Sequence, residues 1–306
     1  MKGKLLLISS IFIFLVLVST VASTTQFTKI GSGSEPTIDA SNVVWTNNGN
    51  IHVYNLTTKE DVIINSSVAF HPAISGNKLV WYDESTGVPK LAVYDLKTGA
   101  RSDVTEDVDS YSVPAIYGNR IVWSANSGVY MRDISTSTQT RIADGNSPDI
   151  YDDMISYESG SAEDTPQIYV YNITTKQAVD VSQYGDNLAS HICDDKVIWS
   201  DFYTRLGNIR MYDIAANQQI EVTTGDDMTG YDTGGSIDID GDRIVYLKHN
   251  DLGSTDSGDV YVYNITTEKS KQLSSGNSAQ TPVVSGNVVA WSDSGSIHIM
   301  SLETQV

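Results

Sequence analysis

The feature that most limits what this chain can fold into is an aromatic residue that returns seven times, at Trp45, Trp81, Trp123, Tyr157, Trp199, Tyr246 and Trp291. Seven positions before each stands an aliphatic residue: Ile38, Ile74, Ile116, Ile150, Ile192, Ile239 and Val284. The column uses all five tryptophans of the chain. Self-similarity at a period of roughly 40 residues marks a propeller or a solenoid, in which a unit buries its apolar face only against its neighbours.

Within each unit the signals are those of strands. HPAIS (71–75), VPAIY (113–117) and TPVVS (281–285) open their units, and polar or glycine turns follow, such as Gly76-Asn77 and Gly118-Asn119. A second strand ends at the aromatic column (KLVW, 78–81), a third reads LAVYDL (91–96) or IYVYNI (168–173), and a fourth is polar, as in TRIAD (140–144). Alternation, β-branched residues and turn punctuation recur, and no segment carries a sustained helical period. Four strands about every 40 residues predict a propeller blade.

The spacings sort the connections. Aliphatic to aromatic is always seven residues, and third strand to fourth always eight, from Leu56–Ile64 through Ile265–Leu273. Second to third runs 11, 15, 11, 16, 15, 19 and 11 residues, and fourth to the next first runs from 8 to 17. In an up-and-down blade the two constant connections open on one face and the two variable ones on the other. Binding loops belong to the variable face. The seventh unit has strands around Val284, Trp291 and Leu302, but the chain stops at Val306 before a fourth. A strand around Ile30 precedes Ile38 by eight residues and supplies it. The expected fold is therefore all-β: a seven-bladed propeller of four antiparallel strands per blade, its last blade sealed by the N-terminal strand so that no open edge remains.

Residues 1–23 are a different object: Lys2 and Lys4, an apolar run from Leu5 to Val18, and the small-residue end Val21-Ala22-Ser23. This is the plan of a secretory signal peptide, or of an uncleaved anchor, and residues 24–306 form the single propeller domain. The chain has a net charge of -19, and loss of Lys2 and Lys4 with the leader leaves 17 basic against 38 acidic residues. Such a surface repels nucleic acid and anionic lipid. Cys193 is the only cysteine, so no intrachain disulfide forms, and it is expected to be a free thiol within a strand.

With GNRIVW (118–123) and the third-strand triplets Tyr54-Asn55-Leu56, Tyr94-Asp95-Leu96 and Tyr212-Asp213-Ile214, the chain resembles TolB-like propeller repeats. More narrowly it resembles the propeller repeats of surface-layer and cell-surface proteins of methanogenic archaea. That resemblance covers residues 25–306 and implies an extracellular, mostly non-enzymatic envelope role. TolB-like propellers also include carbohydrate lyases that use a histidine cluster with metal-binding neighbours; here only His191 and His249 are placed to approach such a cluster.

Three sets of residues are candidates for chemistry. Four sequons begin at Asn55, Asn65, Asn172 and Asn264, and mark glycan acceptors on an exported chain. Three of them share the turn between third and fourth strands, where Asn is also an ordinary turn residue and where Asp95, Asp133 and Asp213 stand in other units. Asp238-Ile239-Asp240-Gly241-Asp242 lacks the closing Glu of a calcium loop and reads as a strand and its turn. The position before the aliphatic holds Thr37, Ala73, Ala115, Asp149, His191, Asp238 and Val283, so consecutive units four to six supply Asp149, His191 and Asp238 to the channel. The long variable connections of the same units add Asp226, Asp227, Asp232, His249 and Asp251, with the aromatics Phe202, Tyr203 and Tyr231. Carboxylates with an imidazole suit calcium or another divalent cation, and acids with Tyr203 and Tyr231 suit a sugar. The competing reading is a hydrogen-bonded network between blades. His52 and His298 share one third-strand position and read as packing residues, and no catalytic triad order, zinc motif or phosphate loop is present.

The expectation is a secreted or cell-surface binding protein with an extracellular protein or polysaccharide partner, and neither nucleic acid nor membrane contact beyond the leader. The alternative is a carbohydrate-active lyase or hydrolase on the variable face of units four to six.

Overall fold

The computed structural model describes residues 27–110, 112–160, 165–183, 185–202, 208–223, 237–248 and 257–302. They form seven four-stranded antiparallel sheets, six of them built from four consecutive strands. The inner strands are Ser34–Asp39, Ala69–Ser75, Ala115–Tyr117, Asn146–Tyr151, Asn187–Cys193, Ile237–Asp240 and Ala279–Ser285. The seventh sheet joins Ala279–Ser285, Val288–Asp293 and Ser296–Ser301 to the N-terminal strand Thr28–Ser32, which pairs antiparallel with Ser296–Ser301. The seal predicted from the spacing is present.

The aromatic column is the core. All five tryptophans and Tyr246 are fully buried, and Tyr157 nearly so. Each aliphatic of the inner strand packs against the column of its own or an adjoining blade: Ile74 with Trp81, Ile116 with Trp123, Ile192 with Trp199, Val284 with Trp291. A third-strand ring covers several members of the column. His52 stacks on Trp45 at 5.2 Å, Tyr130 on Trp123 at 5.9 Å and His298 on Trp291 at 5.9 Å. Both histidines are packing residues, as their shared position predicts. Burial of large rings against one another is the largest stabilising contribution available to such a ring of sheets.

Five inner strands begin with a departure that the spacing does not announce. Glu35, His71, Ser147, Ala189 and Thr281, each three residues before the aliphatic, have φ between 45° and 57°. The pairing register slips there in all five strands. Four of these residues precede a proline (Pro36, Pro72, Pro148, Pro282), which brings no N–H to the two-residue bulge. In three of the five the N–H of the left-handed residue is satisfied from the preceding blade: His71 donates to Glu35 Oε2 at 3.0 Å, Ser147 to Ser124 Oγ at 3.1 Å and Ala189 to Glu158 Oε1 at 2.6 Å.

Candidate functional site

The seven inner strands line an axial channel of about 650 Å³, to which the residues one before and one after every aliphatic contribute, joined three before it by Glu35, His71, Val113 and Thr281. Inner strands run from the variable face to the constant face, so these positions form three levels.

At the variable mouth stand Glu35 and His71. The Glu35 carboxylate takes the His71 backbone N–H and the Thr46 hydroxyl at 3.2 Å through Oε2, and lies 3.1 Å from His71 Nδ1 through Oε1. In the sequence His71 stands at the start of the HPAIS strand, and nothing in its spacing singles out Glu35. The proline that follows each of them, repeated across the units, is the signal that marks them.

The middle level carries the sequence-predicted trio. Asp149 Oδ2 lies 3.5 Å from His191 Nδ1. Burial pushes the Asp238 carboxyl up to about 6; His191 pulls it back down and Asp149 adds to the rise, so all three sense one another. Blades four to six do bring them together. Their oxygens, however, are committed. Asp149 Oδ2 accepts from Ile192 N of the next blade at 3.0 Å and Oδ1 from Ile150 N at 2.8 Å. Asp238 Oδ2 accepts from Val284 N at 2.8 Å and Oδ1 from Ile239 N at 2.9 Å. Among the described residues, no group of three His, Cys, Asp or Glu side chains is arranged to hold a metal ion. Each of the four carboxylate oxygens thus takes one backbone amide, and at Asp149 and Asp238 these bonds form the hydrogen-bonded network between blades that is the competing reading of the trio.

The constant mouth is ringed by a belt of contacts that crosses all seven junctions. At five junctions the residue after the aliphatic reaches the backbone N–H two past the aliphatic of the next blade. Asp39 accepts from Gly76 N, Ser75 Oγ from Gly118 N at 3.0 Å, Asp240 Oδ2 from Gly286 N at 2.5 Å and Ser285 Oγ from Ala40 N at 3.1 Å. Cys193 takes the Gly241 N–H and lies 3.6 Å from Asp240 Oδ1; burial pushes its thiol up to about 12. The other two junctions use Tyr117 against Tyr151, ring centres 4.7 Å apart, and Tyr151 hydrogen-bonded to Asp194. Cys193 is thus the buried free thiol of a strand that the sequence predicts, and Asp240 ends the inner strand Ile237–Asp240, just before the turn at Gly241-Asp242.

The remaining predicted residues divide. Phe202 is 8% exposed, so it presents no ring to a ligand; its backbone N–H is tied to Asp186 O at 2.8 Å. Tyr203 and Tyr231, with Asp226, Asp227, Asp232, His249 and Asp251, lie outside the described residues. Asn55, Asn172 and Asn264 cap the turns in which they stand: their Oδ1 atoms accept from Thr57 and Thr58 N, from Thr175 N and from Thr267 N at 2.7–2.9 Å. Asp95, Asp133 and Asp213 make the same bonds in their own units. Asn65 is exposed on the variable face.

Closed ring, N-terminal seal and fourfold blades define a seven-bladed β-propeller similar in structure to the TolB-like propellers. Oligogalacturonate lyase from Vibrio parahaemolyticus superposes with a TM-score of 0.63 at 13% identity over 90% of this chain and 91% of that one. The propeller domain of the Trilobed protease from Pyrococcus furiosus gives 0.60 at 14% identity over 87% and 90%. TolB from Acinetobacter baumannii gives 0.57 at 16% identity over 81% of this chain and 63% of that one, and the chain spans 30% of the tricorn protease. At these identities the likeness is one of fold. No family model matches the sequence, and no curated protein matches it.

Proposed function

We propose that this chain is a secreted or cell-surface, non-enzymatic propeller that binds an extracellular protein or polysaccharide through its variable-loop face. The observation that carries the reading is where the ends of the ring leave it. Thr28 pairs with Ile299, and Leu302 N donates to Asn287 O in a constant-face turn, so Phe27 and Leu302 both depart from the constant face. A chain held at the surface by either end presents its variable face, with the channel mouth, Glu35 and His71, to the outside. The leader at residues 1–23 supports export, and the acidic balance favours a neutral or cationic partner over an anionic one.

Orientation provides the test. Cys193 is buried, so Val88→Cys, at a 49% exposed position on a variable connection, introduces a single exposed thiol. Chain immobilised through its C-terminus binds the surface-polysaccharide or exoprotein fraction of the producing cells; chain immobilised through position 88 does not. Equal binding in both orientations overturns the reading. The alternative, a carbohydrate lyase or hydrolase, draws on the polar wall that Asp149, His191 and Asp238 give blades four to six. Release of unsaturated uronate from oligogalacturonides, abolished in His191→Ala, would establish it in place of the binding role.

A further inference from the structure

We propose that Asn65 accepts an N-linked glycan in the folded chain and that the fold closes the other three sequons. The proposal rests on the export reading above only for where the modification occurs, not for which asparagine takes it.

N-glycan transfer makes the carboxamide nitrogen a nucleophile. A bond forms between Nδ2 and the anomeric carbon of a lipid-linked sugar phosphate, the bond from that carbon to the phosphate oxygen breaks, the phosphate leaves on its lipid, and Nδ2 gives up one proton. The amide must be free to turn into the transferring enzyme, and the hydroxyl two residues on must be presented with it.

The four sequons differ at the carboxamide. Asn55 Nδ2 donates to Asn42 Oδ1 at 3.1 Å, Asn264 Nδ2 to Asp242 Oδ2 at 2.7 Å and Asn172 Nδ2 to Met154 Sδ at 3.4 Å. The Oδ1 of each caps its own turn, so rotating the amide withdraws an acceptor from one or two backbone N–H groups as well. The middle residues Leu56, Ile173 and Ile265 pack against the core and each donates a backbone bond at 2.7–2.8 Å to the neighbouring turn, which fixes the hairpin. Thr174 Oγ1, the hydroxyl of the third sequon, is itself spent on Asp153 at 2.8 Å.

Asn65-Ser66-Ser67 is built the other way. It lies between Asp61–Ile64 and Ala69–Ser75, outside any strand, and its pinned residue is the middle one. Ser66 is buried, with Oγ on Asp83 Oδ2 at 2.7 Å and N on Asn50 Oδ1 at 3.1 Å. Asn65 and Ser67 on either side are exposed, and the Asn65 carboxamide makes no hydrogen bond among the described residues. A rigid inward anchor thus presents acceptor amide and hydroxyl outward together. The glycan would stand on the variable face, at the boundary of blades one and two.

Unmodified, folded chain is incubated with a purified oligosaccharyltransferase and its lipid-linked donor, beside synthetic peptides spanning each sequon, and sites are read by glycopeptide mass spectrometry. All four peptides are accepted, whereas the folded chain gains one glycan mass, at Asn65, which is lost entirely in Asn65→Gln. Modification of the folded chain at Asn55, Asn172 or Asn264 to the same extent overturns the proposal, as does an unmodified Asn65 in folded chain. Mass spectrometry of chain recovered from outside the producing cells finds the same single site. Chain found only inside those cells would sink the export reading and leave the transfer result to decide the acceptor.

Discussion

Two buried carboxyl groups show how the same burial produces opposite acids. Burial alone would raise Asp83, but Ser66, Ser85 and Trp81 all donate to it and hold it at about 2. Arg101 Nη2 joins them at 2.6 Å. Its contribution to stability is present above the ordinary value of 3.8 and is lost as pH falls through about 2. Asp83→Ala strands the Trp81 indole N–H and the half-buried Arg101, and should cost about 3 kcal/mol in a urea titration at pH 7. Glu158 is the reverse case. Burial pushes it up to about 7, against the pull of the Ala189 N–H and the Ser147 side chain. The folded chain holds this proton more tightly than the unfolded one, so the contribution is complete below 4.5 and is lost as pH rises through about 7. Glu158→Gln keeps an acceptor for Ala189 N and removes the charge. Its melting temperature should match the parent at pH 5 and exceed it at pH 8, where the ionised parent has lost on the order of 2–3 kcal/mol; equal curves at both pH values would contradict the assignment.

At the scale of the element, the hairpin turn and the inner-strand bulge divide what can be read from residues alone. The turn was legible: Asn and Asp alternate at one position because only the carboxyl-type Oδ1 is needed to hold the next N–H groups. Which turns tolerate the exchange was not legible, since that depends on what meets the other atom of the side chain. Asn172 Nδ2 faces Met154 Sδ, so Asn172→Asp should change stability by less than about 0.5 kcal/mol. Asn264 Nδ2 donates to Asp242 Oδ2, so Asn264→Asp sets two carboxylates against each other and should cost about 1–2 kcal/mol, relieved by lowering the pH below 4. Thermal melts of the pair at two pH values check both. The bulge is not legible because its left-handed residues are Glu, His, Ser, Ala and Thr, with no glycine to mark them. The trio was legible as a position, one residue before each aliphatic, but the residue types alone left two readings open. The residue type at Asp149 and Asp238 fits a ligand site or a backbone acceptor equally well, and only the neighbouring strand's N–H decides between them.

The whole ring is held by the belt at its constant mouth and by one non-consecutive strand. In blade seven Trp291 Nε1 and His298 Nδ1 are buried with no hydrogen-bond partner among the described residues, and burial lowers the histidine pKa. Such unsatisfied groups lower the cost of opening that sheet. The N-terminal strand is seated instead by close approach to blade one. Trp45 Nε1 donates to Ser32 O at 2.9 Å, and a Cβ at Gly33 would lie 2.2 Å from Thr46 O, at a φ of 146° that other residues rarely adopt. Gly33→Ala should therefore lift the strand from Trp45 and leave Ser296–Ser301 as an unpaired edge, a template for another chain. Gly76→Ala is the matched control: it too has a positive φ, 58°, but nothing lies within 4 Å of the added carbon, so it bears only backbone strain of about 1 kcal/mol. Size-exclusion chromatography should show the Gly33 variant associating at concentrations where the parent and the Gly76 variant stay in one peak, with a melt that broadens as blade seven opens before the rest. A Gly33 variant that elutes and melts like the Gly76 control would mean that the belt alone keeps the ring shut.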